Sequence, residues 1–324
     1  MLKVSELHKK AGGRLQNTEN PKRLALIHTA IALGASFLLL VLSMLSERMI
    51  ADTGGLRGMG TRATLSTVEN MLNLIITIAL PFWQMGIFYA ALGWIKAESA
   101  GFSHLLQGFR RWSSVLGSLL LQSLLYIILG FAVAYMSSAV FVMTPLATPF
   151  INIMAPMMDP TLTPEKMSEL LTPELMESAT QAAIPLLIIF GALFILAAIP
   201  VFYRIRFASL AVMDGQTAGK SLIKSFLITR KSFWSLVKLD LSFWWFYLLQ
   251  ILSVVICNAD LLLPSLGVTL PVSGTAATLL FYALGSIGQL LLLWQFEAKR
   301  VTVYALAYRT LDTASNPEST PEEA

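Results

Sequence analysis

The chain has 324 residues, 56% of them hydrophobic and only 13% charged, with a mean hydropathy of +0.68. Water-soluble domains carry about 25% charged residues, so this composition excludes an ordinary soluble globular protein and points to lipid as the main solvent. The net charge of +4 is no nucleic-acid footprint, because Lys and Arg are confined to alternate loops, and the single Cys257 excludes an intrachain disulfide or a cysteine metal cluster.

Residues 1–23 are polar and basic, and Val4, Leu7 and Ala11 recur at helical spacing, which predicts a short helix on the membrane surface. The first apolar run, 25–45, is long enough to cross the hydrocarbon core. It lacks the small-residue cleavage site of a signal peptide and is read as retained. A polar, glycine-containing loop is expected from Asp52 to Thr67, followed by a second span over 68–95. Pro81, near its middle, removes one backbone hydrogen bond and predicts a kink. Between Gly101 and Trp112, Phe102, Leu105, Leu106 and Phe109 form one apolar stripe, as in an interfacial helix too short to span. The third span is 115–142.

The stretch 144–180 is an acidic loop, with Asp159, Glu165, Glu169, Glu174 and Glu177 against a lone Lys166. Thr163-Pro164-Glu165 and Thr172-Pro173-Glu174 each read as a helix start, with a cap residue, a first-turn proline and an acid. The fourth span, 183–212, is expected to break at Pro200. From Thr217 to Lys231 the pattern is again amphipathic: Ala218, Leu222, Ile223, Phe226 and Leu227 face one way, and Lys220, Lys224 and Lys231 another. The fifth span is 234–257. A short loop around Pro264 and Pro271 leads to the sixth, 276–296, whose helix is read as running on past Arg300. The polar tail 312–324 is expected to be disordered. The predicted fold is therefore all-α: a single polytopic membrane bundle over 24–311, with six transmembrane helices and added interfacial amphipathic helices.

The basic residues give an independent check. With the N-terminus inside, only Arg48, Arg57, Arg62 and Lys166 of the 23 Lys and Arg fall outside. The positive-inside rule thus places both termini in the cytoplasm of a plasma membrane.

Part of the sequence occurs twice. Shifted by 118 positions, Tyr89-Ala90-Ala91-Leu92 falls on Phe207-Ala208-Ser209-Leu210, and Ala100-Gly101 falls on Ala218-Gly219. After a one-residue gap, Leu105 to Phe109 falls on Leu222 to Phe226. This reads as a duplicated helical hairpin, the copies being related by an axis along the membrane normal. Each copy re-enters the membrane through a basic-aromatic group, Arg110-Arg111-Trp112 or Arg230-Lys231 with Trp234. These six are the candidate contacts for anionic lipid headgroups.

Motifs for chemistry are scarce. Gly215 to Ser221 resembles a phosphate loop but has one residue too few between its glycines and follows a membrane helix instead of a strand. His8, His28 and His104 are far apart in sequence, and the acidic loop is read as a solvated face in preference to a cation site. No catalytic, cofactor or metal site is assigned. Ionisable groups near the membrane must be paired or face water. Arg204, Arg206, Lys238, Asp240, Glu297, Lys299 and Arg300 are the candidates for buried ion pairs or a polar path.

The opening Lys3-Val4-Ser5-Glu6-Leu7, the Gly108-Phe109 pair and the run Ser225 to Trp245, with Thr229-Arg230-Lys231 and Leu239-Asp240-Leu241-Ser242-Phe243-Trp244-Trp245, carry a family likeness. On these residues the chain resembles the bacterial integral membrane proteins catalogued as domain of unknown function nine-seven-five, common in Firmicutes. The resemblance implies a multi-pass protein of the bacterial plasma membrane and brings no activity, substrate or site residues. The reading favoured is a non-enzymatic membrane protein that associates with lipid or a membrane-protein partner, without nucleic acid. The alternative is a small permease or channel with a path between the repeated hairpins.

Overall fold

A computed structural model describes residues 2–52, 56–148, 151, 173–265, 267–268 and 274–315. Among the described residues every regular element is a helix: α1 (Val4–Gln16), α2 (Pro21–Asp52), α3 (Leu56–Trp94), α4 (Phe102–Leu105), α5 (Gln107–Arg110) and α6 (Trp112–Val142). A 3-10 turn (Pro145–Ala147) follows, then α7 (Pro173–Ile205), α8 (Ala208–Met213), α9 (Ala218–Thr229), α10 (Phe233–Leu241), α11 (Trp244–Cys257), α12 (Ala259–Ser265) and α13 (Thr275–Ser315). Five helices are long and apolar enough to cross a membrane, or six if α10 and α11 count as one bent span. The all-α reading holds, and each of these helices overlaps one of the expected apolar stretches.

Several boundaries differ from the expectation, each for a local reason. The loop expected from Asp52 to Thr67 is helical from Leu56, because extending a formed helix avoids the cost of nucleation despite Gly58 and Gly60. At 39 residues α3 is about 58 Å long, well beyond the hydrocarbon core. The fourth span does not break at Pro200. Helix α7 runs through both Pro185 and Pro200 and ends at Ile205, where the Phe207 N–H is diverted to Ser225 Oγ at 3.1 Å. The fifth span is no single helix, since α10 and α11 meet at 58°. There the Ser242 hydroxyl donates to the Leu239 carbonyl at 2.6 Å, and the Phe243 and Phe246 amides take i−3 partners. The loop at Pro264 is partly the short helix α12. Helix α13 extends to Ser315, so residues 312–315 of the expected tail are ordered helix. Pro173 opens α7, so residues 173–180 of the expected acidic loop belong to that long helix, while Thr172 lies outside the described residues. Thr163-Pro164, Lys166, Pro271 and residues 316–324 lie outside the described residues, as do the side chains of Arg48, Arg57 and Arg62.

The expected interfacial helix at 101–112 is two one-turn helices lying along α3. The approach is close because Gly86 admits the backbone of Leu105 and Gly108 meets the carbonyl of Phe82; a Cβ at either glycine would overlap backbone atoms. Leu105 is fully buried, while Phe102 and Phe109 point outward.

The chain divides into two compact units. The larger comprises 1–118 and 207–324. Its centre is α13, which packs against α11, α2, α1, α3 and α9. Its fully buried side chains include Trp94, Phe207, Phe246 and Tyr308. The smaller unit, 119–206, holds most of α6 and α7. Phe141 and Ala147 are buried there against Leu186 and Ile189. By contrast Leu187, Ile188 and Leu196 on α7 are 67%, 65% and 67% exposed. An apolar face turned outward along a whole helix is what a lipid-facing span requires.

Candidate functional site: the basic end of the larger unit

The break between α10 and α11 carries polar groups that α13 and α1 satisfy. Tyr304 donates its hydroxyl to Asp240, and Tyr247 in turn donates to the Tyr304 oxygen at 2.9 Å. Arg300 pairs with Glu297 one turn earlier, at 2.7 Å and 2.9 Å, and lies over the rings of Phe246 and Tyr304. From α1, His8 reaches Ser242 Oγ at 2.8 Å and stacks obliquely on Phe243. The Ser242 proton already goes to Leu239, so His8 Nε2 is the donor. Burial, and then the nearby Lys299 cation, hold the His8 imidazole below its ordinary pKa. His28 stacks face to face on Trp83, whose indole N–H donates to the His28 carbonyl at 2.9 Å. The two histidines thus have separate structural partners.

A second cluster was not read from the sequence. Asp214, just past α8, accepts from Tyr308 at 2.9 Å and pairs with Arg309, and lies 3.9 Å from Lys224. Lys224 also pairs with Asp312 at 2.8 Å and sits over the Tyr308 ring. This ties α8 and α9 to the end of α13. Its one sequence signal is the spacing of Tyr308, Arg309 and Asp312 on a helix that outruns its apolar span. Beside the cluster a polar cleft of about 180 Å³ is lined by Tyr89, Lys96, Glu98, His104, Arg111 and Asp214, among others.

The candidate residues separate by direction. Arg110, Arg230 and Lys231 are exposed, and Trp112 and Trp234 are 61% and 71% exposed. Arg111 turns inward and donates to the carbonyls of Val212 and Met213 at 3.1 Å and 3.4 Å, closing the C-terminal end of α8. Of the seven ionisable candidates, Glu297 and Arg300 pair with each other and Asp240 takes a tyrosine. Lys238 and Lys299 are exposed. In the smaller unit Arg206 lies 5.0 Å from the Phe202 ring, and Arg204 is half-buried. Pro81 and Pro200 belong to different units.

Helix α9 turns much of its apolar surface outward. Ser221, Ser225, Ile228 and Thr229 are buried, while Ile223 and Leu227 are each 62% exposed and Phe226 is partly so. Among the described residues, no three His, Cys, Asp or Glu side chains converge as a metal site. No family model, curated protein or solved structure matches the chain.

Proposed function

We propose that the protein is a non-enzymatic, multi-pass membrane protein that works by engaging anionic lipid headgroups at its basic end, which the distribution of Lys and Arg assigns to the cytoplasmic face. The observation that carries this reading is the outward apolar face of α9, Ile223 and Leu227, beside the exposed Arg230, Lys231 and Trp234. Serine and threonine packed inward and isoleucine and leucine turned outward are unfavourable in water and favourable where the outside is hydrocarbon. Each basic residue at an anionic surface contributes roughly 1 kcal/mol. Trp112 and Trp234, with a polar N–H on an apolar ring, suit the same boundary.

The burial pattern also supports the duplicated hairpin. Ala90 and Leu92 on α3 and their counterparts Ala208 and Leu210 on α8 are all buried. Gly108 touches the helix before it through backbone, and its counterpart Ser225 does so through its hydroxyl.

The test uses variants that keep only Trp112 or only Trp234, reconstituted in bilayers. The expected result is quenching by lipid brominated near the glycerol end of its acyl chain, stronger from brominated phosphatidylglycerol than from brominated phosphatidylcholine at equal mole fraction. Indoles quenched equally by both, or by neither, contradict the reading.

A further inference from the structure

A groove of about 970 Å³ lies between α9 and the last turns of α13. Its polar lining includes Lys220, Lys224, Arg230 and Lys231 with Ser232, Ser235 and Ser315, against the single carboxylate of Asp312. None of these basic residues belongs to the buried network at the α10–α11 break. The cations are not evenly spread. Lys220 and Lys224 stand one turn apart on the same face of α9. Arg230 and Lys231 follow the end of that helix, about 9 Å along its axis from Lys224 at 1.5 Å per residue.

Each pole differs in kind. Lys224 is fixed by Asp312 at 2.8 Å, which orients its ammonium while leaving donors for another acceptor. Among the described residues, no ion pair engages Lys220, Arg230 or Lys231. Arg230 offers a guanidinium fork suited to phosphate oxygens, and Ser232 and Ser235 add hydroxyls on the same side. The remaining wall is apolar, with Ile223 and Leu227 leading from the groove to the outward face of α9 and Ile228 and Leu311 at its base.

We propose that this groove is a binding site for a ligand carrying two phosphate groups, one for each cationic pole. Its volume is that of a ligand site, too large for a lone inorganic phosphate. A single phosphate group can meet one pole and leaves the donors of the other, about 9 Å along the helix axis, to water; two phosphate groups engage both. A bridged diphosphate headgroup answers both poles, and its acyl chains have a continuous apolar way out over Ile223 and Leu227. The same chemistry is available from a lipid or from a soluble diphosphate. The lipid form rests on the lipid-engaging function proposed above, whereas the soluble form does not.

The experiment uses the full chain in phosphatidylcholine nanodiscs, examined by native mass spectrometry with three probes: cardiolipin, phosphatidylglycerol at twice its mole fraction to match charge, and pyrophosphate. Retention of one cardiolipin in preference to charge-matched phosphatidylglycerol is expected, falling about tenfold in Lys220→Gln and again in Arg230→Gln with Lys231→Gln. Specific binding of pyrophosphate with no cardiolipin preference supports the same site with a soluble ligand. If neither diphosphate is preferred, or if both pole variants bind as the parent does, the proposal is overturned. Quenching of Trp112 by brominated phosphatidylglycerol in the same variants separates the two claims. Quenching that persists while diphosphate preference is absent removes the groove site and leaves the lipid-engaging reading standing.

Discussion

Glu297 and Arg300 stand one turn apart on α13, with side chains only 4% and 20% exposed. Withdrawing two charges from water is costly, and their attraction offsets the cost only while both are present. Removing one partner therefore does more damage than removing both. Arg300→Leu is expected to lose about 3–5 kcal/mol of stability, because it leaves the Glu297 carboxylate unpaired in the core. The double variant Glu297→Met with Arg300→Leu is expected to lie close to the parent. Thermal midpoints in one detergent check this, and equal losses in the single and double variants contradict it. The pair also shows what a sequence hides. Both residues were recognisable as ionisable groups at the end of a span, but their i,i+3 pairing was one choice among several cations, and Tyr304 as the partner of Asp240 had no signal.

At the scale of elements, α1 illustrates a helix whose dock depends on one titratable side chain. Leu7 and Ala11 are buried, and His8 donates to Ser242 at the α10–α11 break. Burial and Lys299 lower the His8 pKa in the docked state below its ordinary 6.5. A base whose pKa is lowered by docking gains more from protonation when undocked. The dock is therefore at full strength above pH 6.5 and weakens as pH falls from 6.5 toward the docked value. Amide exchange in α1 is expected to speed up relative to α13 between about pH 7.5 and pH 5, and this pH response is expected to vanish in His8→Gln. A response equal in parent and variant contradicts the assignment.

The elements themselves were legible where hydrophobic run length determines them, as in 25–45, 115–142 and 276–296. They were misread where a helix end depends on a partner remote in sequence. Pro200 looked like the break, yet a span tolerates a missing bond, and the interruption falls at Phe207 because Ser225 takes its N–H. The stripe of Phe102, Leu105, Leu106 and Phe109 suggested one continuous helix. Contacts at Gly86 and Gly108, invisible to periodicity, resolve it into two turns on α3. Periodicity grouped Ile223, Phe226 and Leu227 on α9 but could not say which face the protein would cover.

At the scale of the whole molecule, the two faces of α9 decide how the basic end is read. Its buried serines anchor it to α8 and α6: Ser225 receives the Phe207 amide, and Ser221 lies 3.5 Å from Ser118. Lys224 ties it to α13 through Asp312. Held in this way, α9 presents Ile223, Phe226 and Leu227 outward while Lys220, Arg230 and Lys231 remain exposed. In water that arrangement would leave an apolar stripe without cover; at a bilayer surface the stripe enters hydrocarbon and the cations stay with the headgroups. The most direct measurement places a nitroxide label at Leu227→Cys or, beyond the helix end, at the exposed Lys231→Cys, with Cys257 replaced by Ser, in reconstituted bilayers containing phosphatidylglycerol. The expected result is that the label at 227 collides mainly with dissolved oxygen and the label at 231 mainly with a water-soluble nickel chelate. Equal access of the nickel chelate to both positions would contradict the account.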